Sequence, residues 1–263
     1  VRVFDSLKVD VTTADASVAV SDTARINYNF EGLVTNKLGV GAADAETISI
    51  TFQVKSPKTG THTVGIKNAA NDRSVALEYT VSVADTWETK TVTTVLDTTG
   101  TWVTDSNKSL TVTWWLMAGS DKHAVTPGTW EATQNNASAS QVNCMDNTAN
   151  NFFLTGVMIT VGSTSPSTFV AAGGGSYGAE LALCQRYYCE TGTGLMCYLS
   201  STTQNFVSDA YPVEMRAAPT ITLLDTTPTI QGATAEETGT ASAIDFSNID
   251  TLGAGLRING FTQ

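Results

Sequence analysis

The ten residues Glu46-Thr-Ile-Ser-Ile-Thr-Phe-Gln-Val-Lys55 alternate between polar and apolar side chains. A β-strand places the apolar members Ile48, Ile50, Phe52 and Val54 on one face, because successive side chains point to opposite sides. A strand that buries one face and leaves the other to water is typical of antiparallel sheets. The segment therefore predicts a core strand of an all-β fold.

The same period recurs further along the chain. Ser74–Ala84 and Lys108–Met117 alternate in the same way, and the second run turns Trp114 inward. Turn-forming sequences such as Ser56-Pro-Lys-Thr-Gly60 separate the runs. Short alternating strands with such punctuation are typical of β-sandwiches and jelly rolls. We therefore predict an antiparallel jelly-roll β-sandwich.

Two features predict a domain boundary near residue 165. Gly162-Ser-Thr-Ser-Pro166 ends a predicted strand, and three consecutive glycines at 173–175 follow as a flexible joint. The sequence therefore predicts an N-terminal strand or linker over residues 1–21, the jelly-roll sandwich over 22–165, and a smaller β-rich C-terminal domain over 166–263. Because the chain begins with Val1 in what resembles the interior of a strand, we expect a longer protein with an upstream part, with proteolytic maturation as the alternative.

In the C-terminal domain, Glu180–Tyr188 carries apolar residues at helical spacing and fits a strand equally well. Short strands are predicted at Leu195–Leu199, Tyr211–Arg216, Thr220–Leu224 and Gly255–Phe261.

The charge balance argues against two classes of partner. The chain has 14 basic and 25 acidic residues and a net charge of -11, whereas binding to a phosphate backbone needs clustered Lys and Arg. Its longest apolar cluster, Trp114–Ala118, is far shorter than the roughly 20 residues that span a bilayer. We predict neither nucleic-acid binding nor membrane insertion.

The four cysteines, Cys144, Cys184, Cys189 and Cys197, match no zinc-binding spacing, and neither histidine lies near them in the sequence. They are interpreted as buried free thiols, with a Cys189–Cys197 disulfide as the alternative.

No set of residues predicts catalysis, a metal or a cofactor. A glycan-cleaving site needs two carboxylates roughly 5–9 Å apart, and the candidates are interpreted as surface charges: Asp72, Glu78, Glu88, Asp105 and Glu131. The loop around Asp146 offers amide oxygens but only one carboxylate, too few for a tight calcium site.

Aromatic side chains are the candidates for sugar binding, because their faces stack on saccharide rings while polar groups bind the hydroxyls. Trp115 is expected on the face opposite Trp114, either available for stacking or covered by another segment or subunit. Trp130, with Glu131 beside it, precedes an amide-rich loop.

Two further candidates for sugar binding, Tyr187 and Tyr188, lie in the C-terminal domain. A subunit contact is the alternative role for this pair, since aromatic residues are enriched in interfaces. The two remaining tryptophans, Trp87 and Trp102, are interpreted as edge packing.

Several short motifs occur in an order that resembles a viral family. Glu180-Leu-Ala-Leu-Cys-Gln-Arg-Tyr-Tyr188 resembles the E-L-x-x-C-Q-R-Y-Y signature of phage tail-fibre and minor virion structural proteins. Thr155–Ile159 and Met215–Thr220 resemble the T-G-V-Q-L-E and M-R-A-x-P-T elements that flank it. Upstream, weaker matches to that family occur at Glu31-Gly32, Thr47–Lys55, Thr59-Gly60 and Asp85–Trp87, while Gln53, Met158, Thr160 and Cys189 depart from its pattern.

The resemblance implies a fibre on the tail or capsid exterior of a virion, with a carbohydrate-binding-like jelly roll that attaches to a host-surface glycan. It also implies contacts with other virion proteins and a homotrimer, in which three chains cover one another's edges. The alternatives are a purely structural decoration protein, a glycan depolymerase and a non-viral cell-surface adhesin.

Overall fold

The structure is a computed structural model that describes residues 5–163, 176–190, 198–201, 204–222, 229–231, 236–238, 243–247, 249–250 and 252–259. The chain divides into two compact units, residues 1–170 and residues 171–263. The predicted boundary at 165/166 lies outside the described residues.

Eight strands build the first unit: β1 (Leu7–Asp10), β2 (Thr23–Glu31), β3 (Thr47–Lys55), β4 (Gly60–Asn68), β5 (Ser74–Val81), β6 (Glu88–Val95), β7 (Lys108–Ala118) and β8 (Asn151–Val161). They form two antiparallel four-stranded sheets, with the orders β1-β8-β3-β6 and β2-β7-β4-β5. Apart from the β4–β5 hairpin, each strand passes to the other sheet, which is the strand order of an eight-stranded jelly roll. The predicted fold class is confirmed.

The short helix α1 (Gly32–Thr35) follows β2, and 3-10 turns lie at Asn36–Leu38 and Ser120–Lys122.

The core lies between the two sheets and follows the alternation in the sequence. The predicted inward residues of β3 are at most 3% exposed. At the centre, the Phe52 ring meets those of Tyr79 and Trp114 edge-on, at centroid distances of 5.0 and 5.8 Å. Such edge-to-face contacts add to the stabilisation that comes from burying the rings.

Strand β7 differs from the predicted alternation, because both of its faces are buried. The segment between β7 and β8 lies on its outer face, where the Trp115 indole N–H donates to the Asn136 carbonyl at 3.0 Å. Gly65 on β4 makes this close approach feasible, since a Cβ there would lie 2.3 Å from the same carbonyl oxygen. A long polar segment can thus bury the outer face of a strand, and the alternation within that strand does not predict this burial.

The N-terminal strand β1 belongs to the sandwich rather than to a separate segment over residues 1–21. It pairs antiparallel with β8, with Leu7 opposite Leu154 and Val9 opposite Phe152. The first sheet therefore begins before residue 22.

The second unit begins with helix α2 (Tyr177–Gln185), which decides between the two interpretations of that segment. Its strands are β9 (Tyr198–Ser201), β10 (Gln204–Ala210), β11 (Thr229–Gln231), β12 (Glu236–Thr238), β13 (Ala243–Ser247) and β14 (Gly253–Asn259). They form an antiparallel sheet with the order β13-β14-β10-β9 and a separate β11–β12 pair.

Strand β14 overlaps the predicted strand Gly255–Phe261, whereas the strand predicted at Tyr211–Arg216 is wrong, because those residues form bends and irregular backbone. Leu195–Leu199 and Thr220–Leu224 lie partly outside the described residues.

Among the helices described, none combines the length and the apolar character needed to cross a bilayer.

Candidate functional site

A shallow depression of about 480 Å³ lies on the outer face of the first sheet and carries two neighbouring aromatic rings. We call it the aromatic trough. Its lining residues are Asp5, Ser6, Gln53, Lys55, Trp87, Phe153 and Thr155.

The strand register brings the trough together from three parts of the chain. Lys55 on β3 pairs with Phe153 on β8, and Gln53 pairs with Thr155 two residues away on the same face. The Thr155 hydroxyl donates to the Asp5 carbonyl at 2.6 Å, which fixes the segment before β1. Cross-strand neighbours of this kind are in side-chain contact distance although they are about a hundred residues apart in sequence.

Trp87 enters from the turn between β5 and β6. It is 43% exposed, and its ring centroid lies 6.0 Å from that of Phe153. The Glu88 carboxylate holds this turn by accepting the backbone N–H groups of Ser82 and Val83, both at 2.8 Å. The Lys90 ammonium and these backbone bonds lower the pKa of Glu88 to about 2, so the carboxylate stays ionised at neutral pH.

The trough combines aromatic faces with polar groups. The Lys55 ammonium lies 4.4 Å from the Phe153 centroid and 5.9 Å from the Trp87 centroid. The Gln53 side chain is exposed beside them. Rings that present C–H-binding faces next to hydroxyl-binding donors and acceptors are suited to a saccharide.

The sequence does not predict this site, because Trp87 is interpreted there as edge packing and Phe153 carries no signal of its own. The available signal was the position of Trp87 directly after the turn Ala84–Thr86, where burial is not expected. The partner ring depends on the β3–β8 register, which no local pattern specifies.

The prediction that Trp115 presents a free stacking face is wrong. Trp115 is 2% exposed because Asn136 covers it, and the Arg25 guanidinium lies 5.3 Å from its ring centroid. The alternative, that another segment covers this face, is confirmed.

Trp130 and Glu131, predicted as sugar-binding residues, contact other parts of the protein and do not form an exposed stacking surface. The Trp130 ring is partly buried against Trp102 at 5.9 Å, and its N–H donates to the Val95 carbonyl at 2.8 Å. The Glu131 carboxylate accepts the backbone N–H groups of Val125 and Thr126 at 3.1 and 2.5 Å. These contacts close the loop between residues 125 and 131. Trp102 itself is a core residue, at 9% exposure.

Tyr187 and Tyr188 lie in the second unit just after α2 and are 59% and 65% exposed. The Tyr188 hydroxyl donates to the Glu190 carboxylate at 2.6 Å, and the Arg216 guanidinium lies 6.0 Å from the Tyr187 ring. Both their predicted role in glycan binding and their alternative role in a subunit contact stay predictions.

A cysteine and a histidine that are far apart in sequence meet inside the first unit. His62 Nε2 donates to the Lys58 carbonyl at 3.0 Å, and its Nδ1 lies 3.8 Å from Cys144 Sγ. Burial raises the pKa of the Cys144 thiol to about 12, so it stays protonated and unreactive as a nucleophile. The cluster is a packed polar contact, with the His62 ring stacked on Tyr79 at 5.4 Å.

The predicted interpretation of the cysteines as buried thiols fits Cys144 but not Cys184, which is exposed. Cys197 lies outside the described residues, and the Cys189–Cys197 alternative with it.

The buried His62 predicts a pH dependence of stability. Burial lowers the pKa of His62 in the folded state, so the unfolded chain takes up a proton first as the pH falls below about 6.5. The free energy of unfolding should therefore decrease between pH 7 and pH 5.5, with a slope of at most about 1.4 kcal/mol per pH unit. Urea unfolding measured across this range tests it, and the His62→Gln variant should show a much flatter dependence. An unchanged slope in that variant would contradict the assignment.

Glu78, one of the predicted surface carboxylates, and Asp146, from the loop considered for calcium, are both bound to neighbouring groups. Glu78 accepts the Ser138 hydroxyl, and Asp146 accepts Lys58 Nζ and Asn150 Nδ2, both at 2.6 Å. These bonds lower the pKa of Asp146, with the lysine as the largest cause. In the part of the chain that the structure describes, no three His, Cys, Asp or Glu side chains converge as metal ligands.

Comparison with models of known protein families gives no match to this chain, and no curated protein matches it. The strand order by itself defines an all-β jelly-roll sandwich, and the second unit is rich in β-strands.

Proposed function

We propose that this chain is part of a bacteriophage fibre on the tail or capsid exterior, and that it attaches the virion to a host-surface glycan through the aromatic trough. The observation that carries the proposal is the pairing of Trp87 with Phe153 beside Lys55 and Gln53 on a rigid sheet. The ordered motifs around Glu180–Tyr188 support the virion location. Weak sugar contacts become strong attachment when several copies bind together.

The trough is suited to binding rather than to cleavage. Its one lining carboxylate is that of Asp5, whereas glycoside hydrolysis uses an acid and a base or nucleophile across the scissile bond. We therefore propose a non-enzymatic role, for which no cofactor is needed.

Truncating Trp87 should abolish the stacking contact. On an array of bacterial surface polysaccharides, we expect the protein to bind at least one glycan, and Trp87→Ala to weaken that binding about tenfold or more, because an aromatic contact contributes about 0.5–1.5 kcal/mol beyond its buried area. Tyr28→Ala is the matched control, since Tyr28 is an exposed aromatic (57%) on β2, outside the trough. Equal binding by wild type and Trp87→Ala would exclude the trough as the site.

A purely structural decoration protein is the second candidate, and one observation favours it. Apolar side chains are exposed where β1 and β2 form the open edge of the sandwich, including Leu7 at 51% and Tyr28 at 57%, with Leu33 and Val34 nearby at 48% each. Apolar surface of this kind suits contacts with virion proteins or with further copies in a homotrimer. Sedimentation should give three times the mass of one chain. Absence of glycan binding together with tight virion incorporation would favour this candidate.

A further inference from the structure

The outer face of the second sheet carries a row of hydrogen-bond donors that the trough does not use. On the edge strand β2, Arg25, Asn27 and Asn29 are all exposed and point to the same side. The register sets Asn27 beside Thr113 and Asn29 beside Thr111 on β7. This row therefore lies on the sheet surface opposite the core.

The two asparagines present donors to solvent. Asn27 Oδ1 accepts the Thr113 hydroxyl at 2.9 Å, and Asn29 Oδ1 accepts the Thr111 hydroxyl at 2.8 Å. Because each amide oxygen is engaged with the sheet, each side chain still offers its NH₂ group.

Cations surround these amides. Lys67 on β4 pairs with Thr111, one strand away from Asn29. Burial lowers the pKa of Lys67, and the charged side chains that add to this effect are the cations Arg25, Lys108 and Lys122. Lys67 also donates to Asn71 Oδ1 and Lys122 pairs with Asp121, both at 2.7 Å, so the cation of the row on β2 that lies nearest the asparagines is Arg25. We call Arg25, Asn27, Asn29, Lys67, Lys108 and Lys122 the basic strip.

The buried Trp115 positions the strip. Its indole N–H donates to Asn136, and its ring lies 5.3 Å from the Arg25 guanidinium. A guanidinium held over an aromatic face loses less freedom when it binds an anion. Trp115 is thus a positioning residue for Arg25.

We propose that the basic strip binds an anionic polysaccharide, whose charged groups accept hydrogen bonds from Arg25, Lys67 and the two asparagine NH₂ groups. Donors and cations together select an anion, because the cations attract its charge while the amide NH₂ groups donate to its oxygens. A single-stranded nucleic acid would need exposed aromatic faces for base stacking, and Trp115, the ring against Arg25, is 2% exposed. The site is on the second sheet and is independent of the trough.

Binding of fluorescein-labelled dextran sulfate to the full chain, followed by fluorescence anisotropy, tests the proposal against neutral dextran of the same length. We expect salt-dependent binding of dextran sulfate alone. The Arg25→Gln/Lys67→Gln double variant should weaken it at least tenfold at low salt and reduce the slope of log K against log salt by about two, one for each cation removed. Asn27→Asp should also weaken binding, since it replaces a donor by a like charge to the ligand.

Two controls separate the strip from other surfaces. Lys37→Gln removes an exposed cation of the 3-10 turn Asn36–Leu38 and should bind dextran sulfate as wild type does. Trp87→Ala should do the same, even if it loses glycan binding at the trough. Equal weakening by Lys37→Gln, no binding by the wild type, or tighter binding to a single-stranded oligonucleotide of equal charge would overturn the proposal. Circular dichroism confirms that each variant is folded.

Discussion

Phe52→Ala is expected to lower the free energy of unfolding of the sandwich by about 3–5 kcal/mol, the range for removing a buried aromatic ring. Phe52 is 0% exposed, and its ring lies between those of Tyr79 and Trp114. Among the residues that the structure describes, neither the Tyr79 hydroxyl nor the Trp114 indole N–H has a hydrogen-bond partner. Both rings are held by packing, so the cavity left by Phe52 would remove contacts that hydrogen bonds do not replace.

Urea unfolding followed by tryptophan fluorescence measures this loss. Phe153→Ala is the matched control, because Phe153 is a partly buried ring on the neighbouring strand β8 but on the outer face of the same sheet. It should cost much less than Phe52→Ala. Equal losses for the two variants would contradict the placement of the core between the sheets.

The alternation of apolar and polar residues was enough to predict the sandwich. It fails where tertiary contacts, and not the order of residues within a strand, decide which side chains are buried. Ile48–Val54 is governed by a period of two, so the buried face of β3 follows directly from the residue order. The outer face of β7 is governed by tertiary contact with Asn136, which comes from a polar loop with no period. Tyr211–Arg216 has apolar residues at alternate positions but forms bends and irregular backbone, because a short pattern does not ensure a partner strand.

The candidate sites were harder to predict than the fold. Trp115 lies on the outer face of β7, as the alternation predicts, but it is not available to bind a sugar. Its exposure depends on the segment that packs over the strand, which the strand's own sequence does not specify. The trough requires Lys55 and Phe153 to be opposite each other, and the Cys144–His62 contact joins residues that are 82 positions apart. Long-range register decides such contacts, and a sequence pattern is local.

Asp97→Ala should produce the second large loss of stability, about 3 kcal/mol or more, because it leaves a partly buried arginine without its counter-ion. Asp97 is 2% exposed and accepts both Arg73 Nε and Arg73 Nη2, the latter at 2.8 Å. It also accepts the Thr99 backbone N–H and hydroxyl at 3.3 and 3.2 Å. One carboxylate therefore ties the segment after β6 to the start of β5.

The matched control is Asp10→Ala, which removes a directly bonded ion pair that is exposed at the surface. Asp10 bonds Lys8 at 2.8 Å, and the two side chains are 54% and 48% exposed. Water screens such a pair, so its loss should cost less than about 1 kcal/mol. The comparison sets a buried carboxylate that accepts four hydrogen bonds against an exposed carboxylate that pairs with one lysine. Equal small effects of Asp97→Ala and Asp10→Ala on urea unfolding would mean that the Arg73–Asp97 contact does not hold the edge of the sandwich together.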